Sequence, residues 1–436
     1  MKVCIIGAGS PYTPELIERL SLYRDRLPVS EIALMDIDAE RLTIMAGFCS
    51  RFAEALDFPV TITSTTDRVE AISGSRFVNT QIRVGGNRAR IQDERIPLSM
   101  GLIGQETTGA GGFAKALRTL PIMVDIAKDV VLHAPEAWIV NYTNPTGLVT
   151  EAVLHHTKAR IAGLCAGGLF AQNWTGRALG VEPSSVRYDI AGLNHMNFSY
   201  NITVNGRPLR EEEFRLAARE VGAVDPVLIE TIGALPSPYL QYYYHTARKL
   251  LENRQAGKTR GEEVLEMECE IYEAFADPAI HRKPEILKRR GGGGYAEVAV
   301  GFMDAVHNNK DTWMVVNTPN CGTLSFLPND AVIETGCLVN AAGIHPLAIQ
   351  SPPRQVCGLI AAVKNYEQLA VEAAMTSDRK MALAALIAHP LVRDGDVARI
   401  LLDKLLEVNR IYLPEMGGLN GYDSAWEGCS GTCSGH

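Results

Sequence analysis

Lys2-Val3-Cys4-Ile5-Ile6-Gly7-Ala8-Gly9-Ser10-Pro11 is the stretch on which the fold turns. A short strand-like run stops at two glycines, and the amphipathic segment from Glu15 to Leu22 follows. That order is strand, tight turn, helix. Gly7 and Gly9 let the backbone bend sharply and come close to a pyrophosphate at the helix N-terminus. Pro11 suits a first helical turn, where its missing N–H is no loss. Gly7, Gly9, Ser10 and Pro11 are therefore candidate dinucleotide contacts. The third glycine of G-x-G-x-x-G is absent, with Tyr12 in its place, so a strand-to-helix turn without ligand fits this stretch equally well on its own.

Working outward, a second strand, Ile32 to Met35, ends in Asp36-Ile37-Asp38. Asp36 falls near the offset of a carboxylate that accepts ribose hydroxyls, which favours NAD over NADP because a 2′-phosphate would be repelled there. Strand-like runs at Arg76 to Val84 and Ala137 to Val140 alternate with helical stretches at Arg41 to Phe52 and Pro121 to Leu132. Such alternation predicts an α/β fold, a Rossmann-like, doubly wound parallel sheet. Ligands of such sheets lie beyond the carboxyl ends of the strands. The chain places Asn79-Thr80-Gln81-Ile82-Arg83 and Asn141-Tyr142-Thr143-Asn144-Pro145 there. Each asparagine also suits a loop-closing turn.

The chain has 436 residues, 46% hydrophobic and 21% charged, enough for a large core. Its 42 basic and 50 acidic residues give a net charge of −8 with no Lys/Arg block. That argues against nucleic acid and for a small-molecule partner. Nine scattered cysteines, one of them Cys4 inside the first strand, do not make a disulfide framework. The N-terminus lacks the basic and apolar regions of a signal peptide, and no apolar run reaches the ~18 to 20 residues of a membrane span. A reduced, cytoplasmic protein is the expectation.

From Gln81 the order of motifs becomes specific. Gln81-Ile-Arg-Val-Gly-Gly is followed by Asp93-Glu-Arg-Ile-Pro-Leu, Gly104-Gln-Glu-Thr-Thr-Gly109 and Asn141-Tyr-Thr-Asn-Pro. Then come Gly163-Leu-Cys165, Gly192-Leu-Asn-His195, Pro236-Ser-Pro-Tyr239-Leu-Gln-Tyr, Thr259-Arg260 and Val316-Asn-Thr-Pro-Asn. In this series, over roughly residues 1 to 370, the chain resembles glycoside hydrolase family 4, the NAD- and divalent-metal-dependent glycosidases, and within it the 6-phospho-β-glucosidase branch.

The resemblance implies a nucleotide-binding unit over residues 1–195 and a mainly helical, α+β catalytic and oligomerisation unit over 196–436. The architecture would be like that of lactate and malate dehydrogenases. It further implies bound NAD, Mn²⁺ or a similar ion held by Cys165 and His195, and Tyr239 as the base that takes the sugar C2 proton. Tyr242, Tyr243 and Tyr244 are rivals for that role. Arg90 and Arg260 would contact the phosphorylated sugar, with Arg260 or the metal helping to ionise Tyr239. Asn144 would reach a sugar hydroxyl near the metal, and Asn79 the nicotinamide side of the cofactor. Homodimers or homotetramers are expected. Glu106 is open between proton handling and bracing its loop.

One departure stands out. Family members place a polar or acidic residue after the metal-binding cysteine, and this chain has Ala166. Alanine has no proton to give, which speaks against α-linked substrates. Two other readings compete: a net dehydrogenase of the lactate/malate type, which would need no metal pair, and a weakened NAD- and sugar-binding sensor, motivated by Ala166. The Gly291 to Gly294 run would let backbone pass close to a ligand or a neighbouring subunit. Cys429 and Cys433 in the tail suggest either metal binding or a frayed terminus.

Overall fold

A computed structural model describes residues 1–290, 293–413 and 415–416. Cys429 and Cys433, and Gly291 and Gly292 of the glycine run, lie outside the described residues. Strands are β1 (Lys2–Ile6), β2 (Glu31–Met35), β3 (Thr61–Thr65), β4 (Ser75–Thr80), β5 (Trp138–Asn141) and β6 (Arg160–Gly163). Then follow β7 (Val186–Leu193), β8 (Met196–Val204), β9 (Arg207–Pro208), β10 (Leu235–Pro236), β11 (Thr312–Pro319), β12 (Val332–Asn340) and β13 (Gly343–Pro346).

One sheet runs in the order β13-β12-β11-β6-β5-β4-β1-β2-β3. Its β3-β2-β1-β4-β5-β6 part is parallel throughout, the doubly wound dinucleotide order. The strands β11, β12 and β13 extend it antiparallel from β6. The sheet therefore crosses residue 195, taking three strands from the second half of the chain. A smaller sheet of β10-β8-β7, with β9 on β8, packs beside it, and Thr335 of β12 donates to the Ile190 carbonyl of β7 at 3.1 Å.

Alternation along the strands splits the interior in two. Cys4, Ile6, Val78 and Ile139 face one buried cluster, and Val3, Ile5, Phe77 and Val140 the other. Both faces are covered by helices, as a parallel sheet requires. Asp38 caps the helix Ala39–Ala55 by accepting the Arg41 amide at 3.1 Å, fixing where the chain turns after β2. Expected and observed elements agree closely for β1, β2, β5 and the helices after β1 and β2, whereas the helix expected from Pro121 to Leu132 begins at Gly109 and carries Pro121 inside it. The run expected to be extended to Val84 leaves the strand at Thr80, and the helix after β1 starts at Thr13. Pro14, not Pro11, occupies its first turn, and Pro11 lies in the preceding turn. The strand β3, Thr-Ile-Thr-Ser-Thr, is an exposed polar edge with no apolar pattern to reveal it.

Parallel register sets the site. Ile6 pairs with Thr80, Thr80 with Asn141, and Asn141 with Gly163. The residues that follow, Gly7, Gln81, Tyr142 to Asn144, and Cys165, emerge along one edge.

Candidate active site

At the β1 and β4 ends, where the winding of the sheet reverses, the glycine turn is drawn tight. The amides of Gly7 and Ala8 both donate to the Met35 carbonyl at 2.9 Å, and the Gly9 amide donates to Asp36 Oδ2 at 2.8 Å. Gly7 adopts φ +85°, and a Cβ on Gly9 would stand 2.8 Å from the Asp36 carboxylate. Asp36 also accepts the Asp38 amide at 3.0 Å, so it braces the turn from beneath. Ser10 closes it, its amide donating to Gly7 O at 3.1 Å. Arg41 lies near, but it pairs with Asp38 and Glu268 and covers the Tyr272 ring at 5.0 Å. One row deeper, Asn79 is fully buried and neither atom of its amide has a hydrogen-bond partner. Such a group is costly unless something else satisfies it, so this end of the crevice fits a polar cofactor head.

Cys165 and His195 meet farther along the edge. Cys165 follows β6, and its Sγ accepts the Gly167 amide at 3.4 Å. His195 sits in the two-residue turn joining β7 to β8, where Leu193 pairs with Met196, and it holds the left-handed φ of +64°. A non-glycine residue in that region stores strain, which tends to gather at functional positions. The sulfur and His195 Nε2 are 3.8 Å apart, close enough for one cation to reach both.

The hydrogen-bond network assigns the imidazole tautomer. Gln105 Oε1 accepts both the Thr107 amide at 2.6 Å and the Thr107 hydroxyl at 3.0 Å. Having given its only proton to Gln105, Thr107 Oγ1 accepts from His195 Nδ1–H at 3.0 Å. The Nε2 lone pair is thereby aimed at Cys165. Burial pushes His195 down to about 3, with Lys115 adding to the effect, and pushes the Cys165 thiol up to about 12, with Glu334 adding to it. A neutral imidazole suits a cation, and a thiolate in so dry a place needs one beside it. Among the described residues no group of three or more His, Cys, Asp and Glu could hold a metal ion. Two protein donors leave the rest of a coordination shell to other oxygens.

Tyr239 completes the cluster. Antiparallel pairing of Leu235 with Ser199 and Pro236 with Phe198, then the Ser237 amide on Asn197 O at 2.9 Å, brings its turn alongside the hairpin. Its ring stacks on His195 with centroids 3.7 Å apart and planes 7° from parallel. Burial, then Cys165, Glu106 and Tyr242, raise the phenol above its ordinary value, while Arg90 lowers it. Arg260 is not among these influences. Its guanidinium is engaged by Glu263 at 2.8 Å and by the carbonyls of Arg289 and Arg290, and the next amide, that of Gly261, donates to Glu94 at 2.7 Å. The expected help from Arg260 is thus replaced by Arg90. Of the rival tyrosines, Tyr242 is 6.4 Å from Tyr239, and Tyr243 faces His389.

Arg90 is buried, bonding Glu94 at 2.8 Å and Glu106 at 3.1 Å. Glu106 also takes Lys115 at 2.9 Å and Arg83. These cations hold its carboxyl well below the usual range despite burial, so it is a fixed anion that braces its loop and not a proton donor. Burial and Arg83 push Lys115 down to about 7. Asn144 accepts from Thr146 at 3.4 Å and lies in hydrogen-bond contact with the Tyr295 hydroxyl, which also contacts Cys165. Ala166 packs its methyl against Gly294, where a Cβ would stand 3.2 Å away, so Gly294 lies against its own chain's cysteine loop.

Gln105, Thr107, Lys115, Asn194 and Tyr295 join this cluster without having been singled out from sequence. The only signal for the first two was their place in the Gly104 to Gly109 motif.

A dinucleotide-type sheet whose strand ends gather a cysteine–histidine pair, a stacked tyrosine and a knot of basic groups defines a class: dehydrogenase architecture with a compact site fitted to one cation and an anionic ligand. The chain belongs to glycoside hydrolase family 4. The profile described as Family 4 glycosyl hydrolase matches residues 2–179, and that described as Family 4 glycosyl hydrolase C-terminal domain matches residues 190–392. A probable 6-phospho-beta-glucosidase of Bacillus subtilis is 38% identical over 431 residues, covering 95% of this chain and 98% of that protein. The 6-phospho-beta glucosidase from Thermotoga maritima, solved with manganese, NAD+ and glucose-6-phosphate, matches with a TM-score of 0.88 and 31% identity, over 95% of this chain and 99% of that one. Malate dehydrogenase from Plasmodium falciparum, at 15% identity over 86% of this chain and 99% of its own, shares the fold with a TM-score of 0.53.

Proposed function

We propose that the chain hydrolyses 6-phospho-β-glucosides through a transient oxidation of the sugar ring, with NAD and Mn²⁺ or a similar divalent ion as cofactors. The observation that carries this is the convergence on His195 of Cys165 Sγ at 3.8 Å and the Tyr239 ring at 3.7 Å. When bound, NAD exchanges hydride with the sugar C3 and the metal ion stabilises the enediolate charge that develops next to it. Cys165 and His195 hold the ion. Burial holds the Tyr239 proton in place, so the tyrosine would act as a base once the cation beside it favours the phenolate. It would take the C2 proton, the C1 aglycone would leave with a proton from water, water would add at C1, and a proton would return to C2. Asn144 orients a sugar hydroxyl, and Asn79, Asp36 and the turn from Gly7 to Pro11 hold the dinucleotide. Arg90, within the cluster of Arg83, Lys115 and Glu106, receives the anionic end of the substrate. Arg260 reaches the substrate only by leaving its present partners.

The route explains why a dinucleotide fold carries a hydrolase and why no flanking carboxylate pair is needed. Ala166 beside Cys165 supplies no general acid, which favours β-linked substrates with competent leaving groups. We assign residues 1–195 to nucleotide binding and 196–436 to catalysis and assembly, and propose a cytoplasmic homodimer or homotetramer whose thiol stays reduced. Among the described residues no helix is long and apolar enough to cross a membrane.

The test is nitrophenol release from 4-nitrophenyl 6-phospho-β-glucoside with NAD⁺, Mn²⁺ and a thiol reductant, each left out in turn. Hydrolysis that needs all three without accumulated NADH is the expected result. Stoichiometric NADH would instead make the chain a dehydrogenase, and binding without turnover a sensor.

A further inference from the structure

Glu334, on β12, reaches both elements that carry the proposed metal ligands while touching neither ligand itself. It is 1% exposed, and its carboxylate accepts three asparagine amides. Asn194 Nδ2 donates to Oε1 at 3.1 Å, Asn317 Nδ2 to Oε1 at 3.1 Å, and Asn197 Nδ2 to Oε2. Asn194 and Asn197 straddle His195 in the β7–β8 turn. Asn317, on β11, also donates to the Gly163 carbonyl at 3.1 Å, two residues before Cys165. Nothing larger fits at Gly163, since a Cβ there would stand 2.2 Å from Thr150 Oγ1 and 2.9 Å from Asn317 Cβ. One carboxylate thus ties the histidine turn to the end of the cysteine strand, two segments that belong to different sheets.

We propose that Glu334 is a positioning residue that sets the spacing and orientation of Cys165 and His195. The proposal rests on the reading that these two hold the divalent ion. A carboxylate is the one side chain of this size that can accept from all three amides at once. Glu334→Gln turns an NH₂ toward an asparagine donor, so at least one tie is lost while volume is kept. Groups that orient metal ligands typically govern affinity by roughly 10- to 100-fold.

The experiment, run at about pH 8 so that Glu334 is ionised, measures the Mn²⁺ dissociation constant by electron paramagnetic resonance on the full chain with NAD⁺ and glucose 6-phosphate present, and the NAD⁺ dissociation constant separately. The panel is wild type, Glu334→Gln, Asn317→Ala and Cys165→Ser. Glu334→Gln should weaken Mn²⁺ binding threefold or more and leave NAD⁺ binding within twofold, with Asn317→Ala moving in the same direction. A smaller Mn²⁺ effect, or an equal loss of both affinities, overturns the proposal, since a purely structural brace would act on both. If Glu334→Gln does not fold, Asn317→Ala decides by the same thresholds. Cys165→Ser separates the premise: if it too keeps wild-type Mn²⁺ affinity, the metal pair itself is wrong, whereas loss there with no change at Glu334 defeats the positioning role alone.

Discussion

At the scale of single residues, the proposed cation pair of Cys165 and His195 depends on a proton placed elsewhere. Thr107 gives its hydrogen to Gln105 and so takes one from His195, leaving Nε2 free to face Cys165. Thr107→Val keeps the shape and removes this acceptor. Mn²⁺ affinity should fall by about 10- to 100-fold, measurable by calorimetric titration, and an unchanged affinity would mean that the tautomer is set some other way. Cys165→Ser should abolish metal-dependent turnover in the nitrophenol assay, and retained activity would remove the sulfur from the site. Cys165, His195 and Tyr239 were legible because motif order singles them out. The roles of Thr107 and Arg90 were less so: a threonine's meaning lies in where its one proton goes, and only the fold shows Arg90 buried on Glu94 and Glu106 while Arg260 is engaged by Glu263.

At the scale of elements, the strand ends were readable and their supports were not. Apolar runs broken by Gly, Asn and Asp located β1, β2 and β5, whereas β3 is a polar edge and the β7–β8 hairpin turns on Asn194-His195 without glycine at the tip. The segment after the helix Arg379–Ala388 carries a testable titration. His389 is 1% exposed, its Nδ1 accepts the Leu391 amide at 3.0 Å, and burial pushes it down to about 3. The unfolded chain binds a proton at this histidine below about pH 6.5 that the native state refuses until about 3. Its contribution to stability is therefore whole above pH 6.5 and lost on acidification, by about 1.4 kcal/mol per pH unit. Glu334 and Glu367, raised by burial to about 7, act oppositely, since the native state keeps protons that the unfolded chain has released between about pH 4.5 and 7. The signature of His389 thus appears in the difference between wild type and His389→Asn. Denaturant unfolding at pH 6.5 and 5 should show that gap narrowing as pH falls, and a constant gap would refute the assignment.

Across the whole molecule, the parallel half of the sheet follows from the alternation of strands and helices, but its continuation could not be read that way. Nothing in β11 says that it lies antiparallel on β6 and carries β12 and β13 with it, because the junction is registered by the single pair of Asn317 and Gly163. The consequence is that nucleotide binding and catalysis share one sheet. A fragment of residues 1–195 should lose β11 to β13 from the β6 edge and expose the apolar surface they cover. It should aggregate or lack dispersed amide signals in two-dimensional NMR, and a soluble fragment that binds NAD⁺ tightly would show that the two units fold independently.

All of these scales meet in one proposed chemical event, removal of the C2 proton by Tyr239 at a centre held by Cys165 and His195. Hydrolysis of 4-nitrophenyl 6-phospho-β-glucoside in D₂O, with NAD⁺, Mn²⁺ and reductant, followed by NMR of the sugar phosphate released, reports on that event directly. Deuterium at C2 without accumulated NADH is the predicted result, whereas product that fully retains protium at C2 would contradict the account.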